Sequence, residues 1–362
     1  MRVAEAPATR EELGAALTAA AEAGTPVRLR GGGTKLGWTR PAPPEAIELS
    51  TTGLDEIVEH NAGDLTAVLE PGVLLADAQA AFAKAGQMLA LDPPDGGATV
   101  GGVVATADSG PLRARYGSPR DLVVGMRVVL SDGTLAKSGG KVIKNVAGYD
   151  IAKLFTGSFG TLGAIVELSV RLHPLPPHTA TACGASADAD ELARGAAALA
   201  QSALEQHGLD VRWESGRGAV LARFAGASPR PQAEAAEALL RQEGLSTEIV
   251  DDDDALWDAQ RAAQRGPLVV KASGLPTRLP DLLRTADDLG ASLVGRAALG
   301  LSWLRFEEPS VAAVERLRRD WIAAVQDRPS ELDVDPWGEI DPAVQALMQR
   351  VKERFDPAGV CV

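Results

Sequence analysis

The sequence predicts an α+β protein in two parts with a returning tail, and three observations lead there. A chain of 362 residues is longer than one compact core usually holds. Short apolar runs of strand length alternate with amphipathic helical segments. A proline cluster, Pro174, Pro176 and Pro177, interrupts this pattern, and beyond it the texture shifts to longer helices. The expected parts are residues 1–176, a smaller α+β part over 177–338, and a helix and tail over 339–362 that return to the first part.

The elements follow in order. Residues 9–23 read as an amphipathic helix with Thr9 as N-cap, Glu12 three residues on and Gly24 as its stop. Strands are expected over 26–30, 46–50, 65–70, 122–130 and 162–173, with a helix over 74–85. In the second part, helices over 188–206, 231–242 and 310–325 interleave with strands near Val211, Val220, Leu268 and Trp303. A last amphipathic helix covers 341–355. No internal repeat is visible in the residues. Asp251 to Asp254 read as a solvated turn before a helix, and the five tryptophans of the second part read chiefly as core.

Charge and composition exclude several functions. A net charge of -13 is wrong for a nucleic-acid surface and unfavourable on anionic lipid. The first seven residues carry no apolar signal core, and the apolar run near 123–130 is strand-sized, so membrane contact is expected only peripherally, through partners. Two cysteines, Cys183 and Cys361, are too few for an iron–sulfur cluster held by this chain alone. A cytoplasmic location, or a peripheral one at the inner face of the cytoplasmic membrane, fits best.

Four segments rich in glycine and small residues carry the chemistry. Arg30-Gly31-Gly32-Gly33-Thr34-Lys35-Leu36 directly follows a strand, and three successive glycines let backbone N–H groups converge on an anion. Alone, this loop is equally a flexible turn. It lacks the GxGxxG spacing, and Gly140-Lys141 lacks the rest of a Walker loop. The second segment runs from Asp92-Pro93-Pro94 through Thr99 to Thr106 and on to Ser109-Gly110. The third is Gly139-Gly140-Lys141 to Lys144 and Tyr149-Asp150, and the fourth is Gly157-Ser158-Phe159-Gly160-Thr161-Leu162-Gly163. Small side chains suit a backbone lying against a bulky planar ligand. Four such segments in order are hard to explain as tight turns alone.

With Glu70-Pro71-Gly72, this set resembles the FAD-binding domain of the p-cresol methylhydroxylase/vanillyl-alcohol oxidase (PCMH/VAO) type, which is built from two subdomains and followed by a cap-like α+β domain. Within that superfamily the stretch GGKVIKNVAGYDIAKLFTGSFGTLGAIVE is similar to the family of FAD-binding subunits E of glycolate oxidase (glycolate dehydrogenase). The resemblance covers about residues 27–176, with a fainter match at 355–359. It implies an FAD pyrophosphate on Arg30, Gly31, Gly32, Gly33, Thr34, Lys35 and Leu36. It places Pro71, Gly72, Pro94, Thr99, Gly101 and Gly102 beside the cofactor. Ala105, Thr106, Ser109, Gly110, Gly163 and Ile165 join them. Lys144 and Tyr149 correspond to positions near the flavin and are the weak candidates for a catalytic base. Where some relatives carry a flavin-linking His this chain has Thr34, and neither cysteine falls in these segments, so the FAD is expected to be non-covalent.

Oxidation of a hydroxy acid also needs a base for the hydroxyl proton. The four histidines, His60, His173, His178 and His207, form no cluster. His173 and His178 read as linker or surface residues and His207 as a helix C-cap. The expected function is therefore the FAD-binding subunit of a multi-subunit dehydrogenase oxidising glycolate to glyoxylate. A sister FAD-containing catalytic subunit would bind the 2-hydroxy acid, and an iron–sulfur subunit would take the electrons. A self-sufficient FAD-dependent dehydrogenase and a flavin-free scaffold are the alternatives.

Overall fold

The computed structural model describes residues 2–3, 6–94, 96–140 and 150–362. The chain divides into two compact units. The first comprises Met1–Ser109, Gly117–Leu175 and Glu339–Val362, and the second Gly110–Tyr116 and Pro176–Gly338.

The first unit begins with helix Arg10–Glu22. Thr9 caps it by accepting from the Glu12 amide at 3.1 Å, while the Glu12 carboxylate accepts from the Ala8 amide at 2.8 Å. Strands Arg2–Val3, Ile47–Ser50 and Val27–Arg30 form a parallel sheet in that order. A five-stranded antiparallel sheet runs Ile57–Asn61, Thr66–Leu69, Ala164–Arg171, Val123–Val129, Leu135–Gly139. Leu13 and Leu17 of the helix join Val27 and Leu49 of the first sheet and Val129 and Val166 of the second in one core. Each of these apolar side chains contributes about 1.5–3 kcal/mol through burial. The tail closes against the same core: the Val27 amide donates to the Val360 carbonyl at 2.6 Å, and the Val362 amide donates to the Val27 carbonyl at 2.9 Å.

The second unit is an eight-stranded antiparallel sheet ordered Ser246–Asp251, His178–Ser186, Arg217–Gly226, Gly208–Glu214, Ser292–Arg296, Leu301–Phe306, Leu268–Ser273, Ile322–Asp327. Its plan is a duplication. Residues 178–251 and 268–327 each trace β-α-β-β-α-β with strand order 4-1-3-2, and their second strands pair edge to edge at Val211↔Gly295. The repeat lies in the topology, which explains why the residues show none. Helices Ala189–Gln201, Arg230–Gln242, Leu279–Asp288 and Val311–Arg318 cover one face through a continuous core. Trp257, from helix Asp254–Ala262, packs on the opposite face against Cys183 and Leu221.

Several sequence readings are corrected. The helix expected over 310–325 stops at Arg318, and Ile322–Asp327 is an edge strand paired with Leu268–Ser273. Cross-strand pairing there overrides local helix propensity. Asp253 does not face solvent: it is fully buried, accepting from Thr179, Thr181 and Arg223 at 2.9, 2.6 and 2.6 Å. His178 is exposed, as a surface histidine would be, but it opens a strand and not a linker. His207 caps no helix, because helix Ala189–Gln201 ends well before it; its Nδ1 instead meets the Tyr116 hydroxyl at 3.1 Å. Trp213, Trp257, Trp303 and Trp321 are buried, whereas Trp337 is exposed.

Candidate functional site

Three of the four glycine-rich segments, the first, second and fourth, meet in the first unit around an open cleft of about 810 Å³, its solvent-facing mouth included. Strand Val27–Arg30 delivers the chain to Gly31, Gly32 and Gly33, and a short 3-10 turn, Leu36–Trp38, carries it away. The amides of these three glycines make no hydrogen bond among the described residues. Three successive free donors beside an open cleft are what a diphosphate needs, so the residues fit an anionic dinucleotide.

The glycines are required for a reason the sequence did not disclose. A Cβ on Gly31 would lie 2.3 Å from Thr99 Oγ1, and one on Gly32 would lie 2.2 Å from the Gly97 carbonyl oxygen. Gly33 adopts φ +77°, in the left-handed region. Gly101 lies under Pro71, where a Cβ would come within 2.5 Å of the proline Cβ. The missing side chains thus let separate backbone segments pack on one another, and the cleft is the surface they leave.

Thr99 caps helix Val100–Thr106, its hydroxyl accepting from the Gly102 amide at 3.2 Å. Thr106 returns its hydroxyl proton to the Gly102 carbonyl at 2.8 Å. Arg30, Thr34, Lys35 and Leu36 line the cleft with the glycine loop, as do Pro71, Thr99, Gly101 and Gly102. Ala105, Thr106, Gly163 and Ile165 complete the expected residues that the fold gathers there. Gly72 does not line it, being packed beneath the Thr51 and Leu54 carbonyls. Pro94, Ser109 and Gly110 stand off it too; Ser109 is buried with its amide on the Asp108 carboxylate at 2.8 Å, and Gly110 groups with the second unit. Lys144 and Tyr149 lie outside the described residues.

Electrostatics around the cleft depend on pairing. The Lys35 ammonium is buried and forms an ion pair with Asp108 at 3.3 Å, so its charge ties the glycine loop to the end of the following helix. Arg30 pairs with Glu48 at 3.0 Å while its side chain remains 41% exposed. Arg28 also lines the cleft and was missed. It sits two residues before Arg30 on one strand, a spacing that puts both on one face, and this alternation is the signal that would have found it. Burial lowers the Arg28 pKa, with Arg30 adding to the effect and Glu48 opposing it. Phe159 and Gly160 line the cleft as well.

Residues 2–139 match the family model described as an FAD binding domain. This segment is an FAD-binding domain. The chain shares 38% identity over 154 residues with glycolate oxidase subunit GlcE of Escherichia coli, covering 42% of this chain and 43% of that one. It shares 39% over 174 residues with glycolate oxidase subunit GlcD of Bacillus subtilis, 47% of this chain and 37% of that one. An uncharacterized FAD-linked oxidoreductase of Mycobacterium tuberculosis is 36% identical over 186 residues, covering 51% of this chain and 40% of its own length. The matched stretch thus spans less than half of these relatives. A solved alkyldihydroxyacetonephosphate synthase superposes with TM-score 0.74 at 15% identity, covering 99% of this chain and 76% of that one, so the FAD-binding domain and the α+β unit share that architecture.

Among the described residues no group of His, Cys, Asp and Glu is placed to hold a metal ion, and no helix is long and apolar enough to cross a membrane. Burial pushes the thiols of Cys183 and Cys361 up to about 12, which leaves both unreactive.

Proposed function

We propose that this chain is the FAD-carrying subunit of a multi-subunit dehydrogenase that oxidises glycolate or a related 2-hydroxy acid. The observation that carries the reading is the row of free amides at Gly31–Gly33 on an open cleft, within a domain similar to glycolate oxidase subunits. In this reading the three amides hold the diphosphate of FAD, and Arg28 and Arg30 add positive potential beside it. Thr99 fixes the helix that forms the adjoining wall, and Gly101 and Gly102 let the cofactor lie close to that helix. Bound FAD supplies an acceptor for the hydride leaving the carbinol carbon.

The electrons then pass to an iron–sulfur subunit, because this chain has two cysteines and buries both. A sister flavoprotein binds the hydroxy acid. A second reading, a self-sufficient 2-hydroxy-acid dehydrogenase, is favoured by 33% identity over 176 residues to a mitochondrial D-lactate dehydrogenase of Arabidopsis thaliana. Two measurements decide. The purified chain should be yellow and release FAD on acid precipitation; a colourless protein that takes up no added FAD overturns both readings. Turnover of glycolate or D-lactate with a dye acceptor by the isolated chain would replace the first reading with the second.

A further inference from the structure

We infer that Phe159 lays its ring on a planar ring system of the bound FAD. The inference rests on the proposed FAD site and starts from the backbone. In the turn between helix Ile151–Phe155 and strand Ala164–Arg171, Gly157, Phe159 and Gly160 take φ of +82°, +56° and +80°. With Gly163 at φ +138°, three of the four positive-φ positions in this turn are glycine, for which such conformations are free of steric cost. The fourth is a bulky aromatic.

The turn is held in place by other contacts. The Phe159 amide donates to the Ala105 carbonyl at 2.8 Å, and the Gly157 amide donates to the Val104 carbonyl at 3.1 Å. Both acceptors belong to helix Val100–Thr106, the cleft wall that Thr99 caps. A backbone anchored this way would tolerate glycine at 159, so the side chain is kept in spite of its conformation. Phe155, four residues earlier, is the core residue of this segment: fully buried and edge-on to Phe355 at 5.6 Å. Phe159 is only half-buried, and it lines the same cleft as Gly31–Gly33. An anchored aromatic facing a dinucleotide cleft suits a stacking or edge-on contact with a heteroaromatic ring.

Adenine and isoalloxazine share that chemistry, and binding measurements on the full chain separate them. Phe159→Asn removes the ring but tolerates the left-handed backbone. It is expected to leave the apoprotein melting temperature unchanged and to raise the FAD Kd about tenfold, whereas Phe159→Tyr keeps the wild-type Kd. If the ring meets adenine, affinity for ADP falls in parallel. If it meets isoalloxazine, ADP binding is unchanged and the bound flavin absorbance band alters shape. Phe159→Leu keeps apolar volume without an aromatic face and is expected to weaken FAD as Phe159→Asn does. Wild-type FAD affinity in Phe159→Leu, or in Phe159→Asn, overturns the inference and assigns the ring to packing. A wild-type chain that binds no FAD would instead remove the proposed function beneath it.

Discussion

The ammonium of Lys352 donates to the carbonyl of Thr161 at 2.7 Å, joining the last helix of the chain to the glycine turn beside the cleft. The same group meets the buried carboxylate of Asp356 and the carbonyl of Cys361. Asp356 in turn accepts from the Cys361 amide at 2.8 Å. One cation therefore links the tail, the strand it flanks and the turn that presents Phe159.

Lys352→Met should cost about 3–5 kcal/mol, since it leaves the Asp356 carboxylate buried without its counter-charge. Urea denaturation measures this, and an unchanged midpoint would contradict the linkage. Burial alone would raise the Asp356 pKa, but Lys352 and the Cys361 amide outweigh it and hold the carboxyl below its ordinary value. Its stabilisation is thus full above the unfolded carboxylate pKa and fades as pH falls through the lowered folded value. Lys352→Met should flatten that acid limb.

Lys35 and Asp108 predict a division between stability and binding. Lys35→Met should destabilise the apoprotein by about 3–5 kcal/mol, because the buried Asp108 carboxylate loses this ion pair. Adding Asp108→Asn should recover part of the loss, so the two changes are far from additive in a double-mutant cycle. Strictly additive losses would show that the pair does not act as a unit.

Gly32→Ala should abolish FAD retention and lower stability, because its Cβ would stand 2.2 Å from the Gly97 carbonyl oxygen and the two segments must part. Gly96→Ala is the matched control, since a Cβ there meets nothing within 4 Å. Co-purified flavin per chain reads both. Equal flavin content in the two variants would contradict the packing role of Gly32.

His207 predicts a pH dependence. Burial lowers its pKa below the ordinary 6.5, with Arg115 and Arg223 pushing the same way. The unfolded chain therefore takes up the proton first. The contribution to stability is full above about pH 6.5 and is lost as pH falls from there towards the lowered folded value. Thermal unfolding between pH 7.5 and 5.5 should show a shallower fall in His207→Gln than in the parent. Tyr116→Phe removes the partner at 3.1 Å and should cost about 0.5–1.5 kcal/mol at neutral pH.

The legible parts of the molecule were those set by local chemistry. The Thr9 cap and the Gly24 stop bracket the first helix in both sequence and structure, because caps and left-handed stops are decided within a few residues. The conformational freedom of the triple glycine after a strand was legible for the same reason. Ile322–Asp327 was illegible because its local pattern reads equally as helix, and only its partner strand chooses. Asp253 looked solvated because nothing near it in sequence reveals Arg223, Thr179 and Thr181 converging on it.

By itself the sequence determined the α+β class and the backbone freedom of the loops in the first domain, both properties of neighbouring residues, while its family resemblance implied FAD. Tertiary structure alone decided that Lys35 spends its charge on Asp108, that Gly31 and Gly32 serve inter-segment packing, and that the second unit is a duplicated β-α-β-β-α-β plan. Those depend on which distant segments approach closely enough to share a carboxylate, a carbonyl or a strand edge. Such distances are set by the packing of the whole core, and no short window of residues contains them.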